Sequence, residues 1–98
     1  MTKMIDKTEL FEDRILGSGA LGFYSWWIDA EMTDDGVTLY SDEGVHTVTA
    51  TQARSAFVKL VMEKYPAFQG VNLTDPDIDA ELADCILQQA AFGEVLFG

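Results

Sequence analysis

Cations are scarce in this chain. Six Lys and Arg stand against seventeen Asp and Glu over 98 residues, a formal charge of −11 with the one histidine neutral. Proteins grip a phosphate backbone with clustered Lys and Arg, and here the cations never cluster along the sequence. Direct nucleic-acid binding is therefore not expected, and an anionic membrane surface repels the chain for the same reason. Cys85 is the single cysteine, so an internal disulfide is impossible and a reducing compartment is the natural setting. No apolar run approaches the roughly 18–20 residues of a membrane span. The opening MTKMIDKTELFEDR lacks the apolar stretch of a signal peptide. The expected location is the cytoplasm.

Apolar residues, by contrast, are plentiful. Hydrophobic side chains make up 48% and aromatics 11% of the chain, which argues for a packed core and against disorder. At this length the whole chain, 1–98, is expected to form one acidic domain, burying roughly 60–70% of the surface its unfolded form exposes.

Asp6 followed by Glu9 resembles a capping box, and Leu10, Phe11 and Ile15 fall on one side at helical spacing. Gly17-Ser18-Gly19 ends that first helix, because glycine tolerates the left-handed cap. Three strands follow, about Phe23 to Met32, Val37 to Tyr40 and Val45 to Thr49. Their connections, Asp34-Asp35-Gly36 and Asp42-Glu43-Gly44, have hairpin-turn chemistry. Thr49 with Gln52 is a second capping box, opening a helix to about Tyr65, where Pro66 stops it. Its stripe is Ala53, Phe57, Leu60, Val61 and Tyr65. Asp75 as cap and Pro76 at the first helical position start a last helix, with Asp77, Asp79 and Glu81 favoured near its positive end. Its buried face reads Ile78, Leu82, Cys85, Ile86 and Ala90. The fold class is α+β in the order α-β-β-β-α-α, a three-stranded antiparallel meander packed on one face by helices.

Strand side chains alternate between faces. One face should carry Trp26, Ile28, Ala30, Met32, Val37, Leu39, His46 and Val48. The other should carry Phe23, Ser25, Trp27, Asp29, Glu31, Thr38, Tyr40, Val45 and Thr47. Covering helices leave this second face open, so Trp27, Tyr40 and Val45 form an exposed aromatic-apolar cluster rimmed by carboxylates. That is the composition of an interface centre with a polar rim. The tail residues Val95, Leu96 and Phe97 offer another way to cover it.

Catalytic and metal signatures are weak. Asp75, Asp77 and Asp79 alternate as in a calcium loop, but the glycine and glutamate that the loop requires at its sixth and twelfth positions are Ala80 and Ile86. His46 has no second histidine or cysteine pattern to complete a zinc site, and reads as a partly buried structural residue. Cys85 lies in an apolar stripe, where a thiol is inert packing. Asp29 and Glu31 share a face, but no element above them closes a pocket for acid–base work. The chain is not expected to be an enzyme, and no cofactor or metal is implied.

Charge geography carries more. From Ile15 to Ala53 and from Tyr65 to the end there is no Lys or Arg. Such acidity keeps a small domain soluble, and it also imitates a phosphate backbone. The partner-binding set expected from the sequence is Trp27, Asp29, Glu31, Asp34, Asp35, Tyr40 and Val45.

The closing IDAELADCILQQAAFGEVLFG and the glycine-ended first helix running into GFYSWWIDAEMTDDG resemble small, acidic, uncharacterised proteins of actinobacterial bacteriophages and mobile elements. The resemblance spans most of the chain and is most specific from Ala90 to Gly98. It implies a phage-type origin and no activity, cofactor or catalytic residue. The expected function is non-catalytic binding of a host protein with a basic surface, as an anti-defence type of inhibitor competing with nucleic acid. The alternative is an accessory or structural phage protein that forms a homo-oligomer, such as a homodimer, through the open sheet face.

Overall fold

A computed structural model describes residues 4–23, 26–42 and 44–95, the side chain at position 23 excepted. Ser25, Glu43, Leu96 and Phe97, which figured in the sequence reading, lie outside the described residues. The fold is α+β: an antiparallel sheet in the order β1-β2-β3 with helices before and after it.

The N-terminal helix, Glu9–Ile15, has π geometry and buries Leu10, Phe11 and Ile15 as its spacing predicts. Asp6 does accept a bond at its start, but from the Thr8 amide at 3.0 Å. The glycine stop is also observed, since Gly19 is left-handed at φ 82°. A short helix α1, Ala20–Phe23, then occupies residues that the sequence assigns to a loop and the strand's beginning. The first strand accordingly starts four residues later than Phe23.

Strand β1 is Trp27–Met32, β2 Gly36–Ser41 and β3 Gly44–Thr49. Val37 faces Met32 on one side and Val48 on the other, and Leu39 likewise faces Ala30 and His46. Val37, Leu39 and Val48 are fully buried, so the predicted core face holds over β2 and β3.

It fails at the start of β1. Trp27 pairs with Ser41, whereas Asp29 pairs with Tyr40. Two steps on one strand against one on its neighbour make a β-bulge at Ile28, and a bulge reverses side-chain parity beyond it. Trp27 therefore turns inward and is 6% exposed, close to Trp26 at 9%, while Ile28 stands 74% exposed. The outward assignment of Trp27 and the inward one of Ile28 are thus both reversed, that of Trp26 holds, and Met32, also assigned inward, is 54% exposed. The indoles meet edge to face, centroids 5.0 Å apart.

Helix α2, Ala50–Met62, opens with the complete Thr49–Gln52 capping box and buries Ala53, Ala56, Phe57 and Leu60. It ends three residues before Tyr65. Helix α3, Ala80–Phe92, begins with Asp79 accepting from the Leu82 amide at 2.8 Å, so Asp75 and Pro76 are not its cap and first residue. They serve another purpose: Arg14 pairs with the Asp75 carboxylate at 2.7 Å and donates to the Pro76 carbonyl at 2.8 Å. This clamp ties the approach to α3 to the N-terminal helix.

Helix α3 packs against α2, β3, α1 and the N-terminal helix. Residues 82–88 are all buried, beyond the single stripe that an amphipathic surface helix shows. Ala90, assigned to the buried face, is only half-buried.

Candidate functional site

The uncovered side of the sheet presents two cross-strand rows. Asp29, Tyr40 and Val45 form one, and Glu31, Thr38 and Thr47 the other. Pairs directly opposite on one face stand within reach of each other, and the Thr38 and Thr47 hydroxyls lie 3.3 Å apart. Asp29 and Glu31 are exposed, Tyr40 is half-buried, and Val45 is 64% exposed. Ile28 projects beside Asp29 because of the bulge. The surface is thus apolar at Ile28 and Val45, aromatic at Tyr40 and acidic along β1.

The structure divides the expected partner-binding set. Asp29, Glu31, Tyr40 and Val45 share the open face as predicted. Trp27 is removed from it to the core. Asp34 and Asp35 stand exposed in the β1–β2 turn, where they line a different feature. That feature is a cleft of about 840 Å³ between the turn and the N-terminal helix, with Phe11, Leu16 and Met32 among its apolar walls and Glu12 and Asp13 opposite. The turn is closed by the Thr33 amide donating to the Gly36 carbonyl at 2.9 Å and the Gly36 amide donating to Thr33 Oγ1 at 3.1 Å.

A polar knot lies beneath the sheet. Trp26 Nε1 donates to Asp84 Oδ1 at 2.8 Å, and Gln88 Nε2 donates to Asp84 Oδ2 at 3.0 Å. Burial pushes the Asp84 carboxyl above the usual carboxylate range, and the two hydrogen bonds pull the other way. His46 is half-buried, as expected, and packs against Phe92 at 4.7 Å and Trp26 at 6.3 Å between centroids. Its Nε2 is buried, with no hydrogen-bond partner among the described residues. Cys85 is buried; desolvation first, then the nearby carboxylates of Asp84, Glu81 and Asp79, push its thiol to about 11. Asp75, Asp77 and Asp79 do not converge, since Asp75 pairs with Arg14 and Asp79 caps α3. Among the described residues no group of three or more His, Cys, Asp or Glu is placed to hold a metal ion, and no helix is long and apolar enough to cross a membrane.

Two features escaped sequence reading. Ile28 was assigned inward, and only a bulge signal would have corrected it. The cations, scattered in sequence, come together in the fold: Lys7, Arg54 and Lys59 line one groove. Compared with protein-family models, with curated proteins and with solved structures, the chain matches none.

Proposed function

We propose that the chain is a non-catalytic binding protein whose open sheet face docks on a basic surface of another protein and competes there with nucleic acid. The observation that carries this reading is the exposure of Asp29 and Glu31 beside Ile28, Tyr40 and Val45, on a sheet within a stretch, Ile15 to Ala53, that contains no Lys or Arg. An apolar centre with a charged rim supplies both burial and steering. The partner is a nucleic-acid-handling protein of the bacterial cell that carries the chain, and the consequence of docking is inhibition. The turn carboxylates Asp34 and Asp35 extend the acidic surface beyond the sheet.

The exposure of Ile28 and Val45 at 74% and 64% favours a second reading, in which the same face joins two copies of the chain as an accessory homo-oligomer. The experiment that separates them offers a bacterial lysate to the immobilised chain with and without competing duplex DNA. The first reading expects a basic protein that DNA displaces. The second expects no such protein, together with a dimer in sedimentation that persists at high salt.

A further inference from the structure

Among the described residues Arg14 alone forms ion pairs, with Glu9 and Asp75. That is a notable economy in a chain with seventeen carboxylates. Lys7 donates instead to Thr51 Oγ1 at 3.0 Å, and Arg54 lies 3.3 Å from the Met4 sulfur. With Lys59 these two cations wall a groove of about 600 Å³ between the N-terminal segment and α2, in which Met4 and Val58 supply apolar surface. Asp6 also borders the groove, and its carboxylate accepts from the Thr8 amide.

The helix register explains the groove. Thr51, Arg54, Ser55 and Val58 follow the i, i+3, i+4, i+7 spacing of one helix face, distinct from the Ala53, Ala56, Phe57, Leu60 face that enters the core. Met62, 68% exposed, continues the same line. Here α2 offers solvent a second amphipathic face whose charged members are positive.

We propose that this groove docks an acidic segment of a partner protein, one that places carboxylates on either side of an apolar side chain. Charge complementarity selects the occupant: three cations without carboxylate partners among the described residues flank apolar surface, and a groove of this size suits a few residues. Fork and ammonium donors both bind carboxylates well. A long polyanion fits poorly, because the adjoining cleft, which shares Lys7 and Thr51 with the groove, presents Glu12, Asp13, Asp34 and Asp35. The groove and the open sheet face use different residues, so either proposal stands or falls alone.

The test uses the full chain and three probes at low salt: a fluorescein-labelled peptide of sequence Glu-Glu-Leu-Glu-Glu-Leu, labelled dodecathymidylate, and phosphatidylglycerol vesicles. Saturable binding of the peptide, read by anisotropy, with backbone amide shifts at Thr51, Ser55 and Val58, is the expected result. Lys59→Glu should weaken it by about fivefold, the scale of an exposed charge pair, and Arg54→Glu by more. Lys59 is exposed, so Lys59→Glu keeps the fold, which circular dichroism checks. The proposal is overturned if the peptide does not saturate or if Lys59→Glu binds it unchanged. It is equally overturned if the oligonucleotide or the vesicles bind more tightly, or if self-association of the chain occupies the groove.

Discussion

Trp26 Nε1 and Asp84 Oδ1 are joined by a 2.8 Å hydrogen bond between residues 58 apart in sequence. This bond fastens the entrance of β1 to the middle of α3, and it lies inside the core rather than on a surface. Trp26→Phe leaves the buried carboxylate with one donor fewer, which should cost about 1–3 kcal/mol. Urea unfolding measures the loss.

The bulge makes a sharper prediction. With Trp26 and Trp27 both buried, Trp26→Ala and Trp27→Ala should each cost about 3–5 kcal/mol, the range for emptying an aromatic core site. Simple alternation predicts a large loss for Trp26 alone. Chemical denaturation of the two variants decides, and a near-neutral Trp27→Ala would refute the bulge.

Asp84 gives a signed pH dependence. Burial raises its folded carboxyl above the ordinary value of about 3.8, so between the unfolded and folded values the native state binds the extra proton. Stability then falls as pH rises from about 3.8 through the folded value, and levels off above it. Asp84→Asn removes this component. The difference in melting temperature, variant minus parent, should therefore grow as pH rises across that window. A flat or declining difference would contradict the assignment.

The thiol of Cys85, pushed to about 11, has a thiolate fraction of about one in a thousand at pH 8. Native protein should react with a disulfide reagent far more slowly than denatured protein. Rapid native labelling would show that α3 is not packed as described.

Gly36 sits where a Cβ would come within 1.9 Å of the Val48 carbonyl oxygen and 2.7 Å of Thr49 Cα. Backbone cannot yield as a flexible side chain does, so Gly36→Ala should destabilise by about 2–3 kcal/mol, toward the upper end for overpacking. The contrast is Gly17, where the nearest neighbour to a Cβ is 3.9 Å away. Gly17→Ala should be tolerated in the same thermal-melt assay.

Much of the architecture was legible because its signals are local. The Thr49–Gln52 box, the Gly19 stop and the alternation of Val37, Leu39 and Val48 are each written within a few residues. What was missed depends on distant partners. Pro76 beside Asp75 has the look of a helix start, but Arg14 claims both residues, and Asp79 caps the helix instead. Nothing near Ile28 announces a bulge; the inward turn of Trp27 is fixed by packing against Trp26. Of the expected site, the rows on β1, β2 and β3 followed from register, while the division between open face and turn cleft, and the gathering of Lys7 with Arg54 and Lys59, needed the tertiary fold.

The most direct test of the docking account measures the association rate of the chain with the basic protein it captures, at about 0.1 M and 1 M salt, for the parent and for Asp29→Lys/Glu31→Lys. The Debye length falls from about 10 Å to about 3 Å over that range, and exposed charges act chiefly on the approach. The parent's association rate should fall steeply with salt, and the variant, with an unchanged melting temperature, should bind slowly at both. A variant that associates as fast as the parent, or a parent that captures no basic protein and only dimerises independently of salt, would contradict the account.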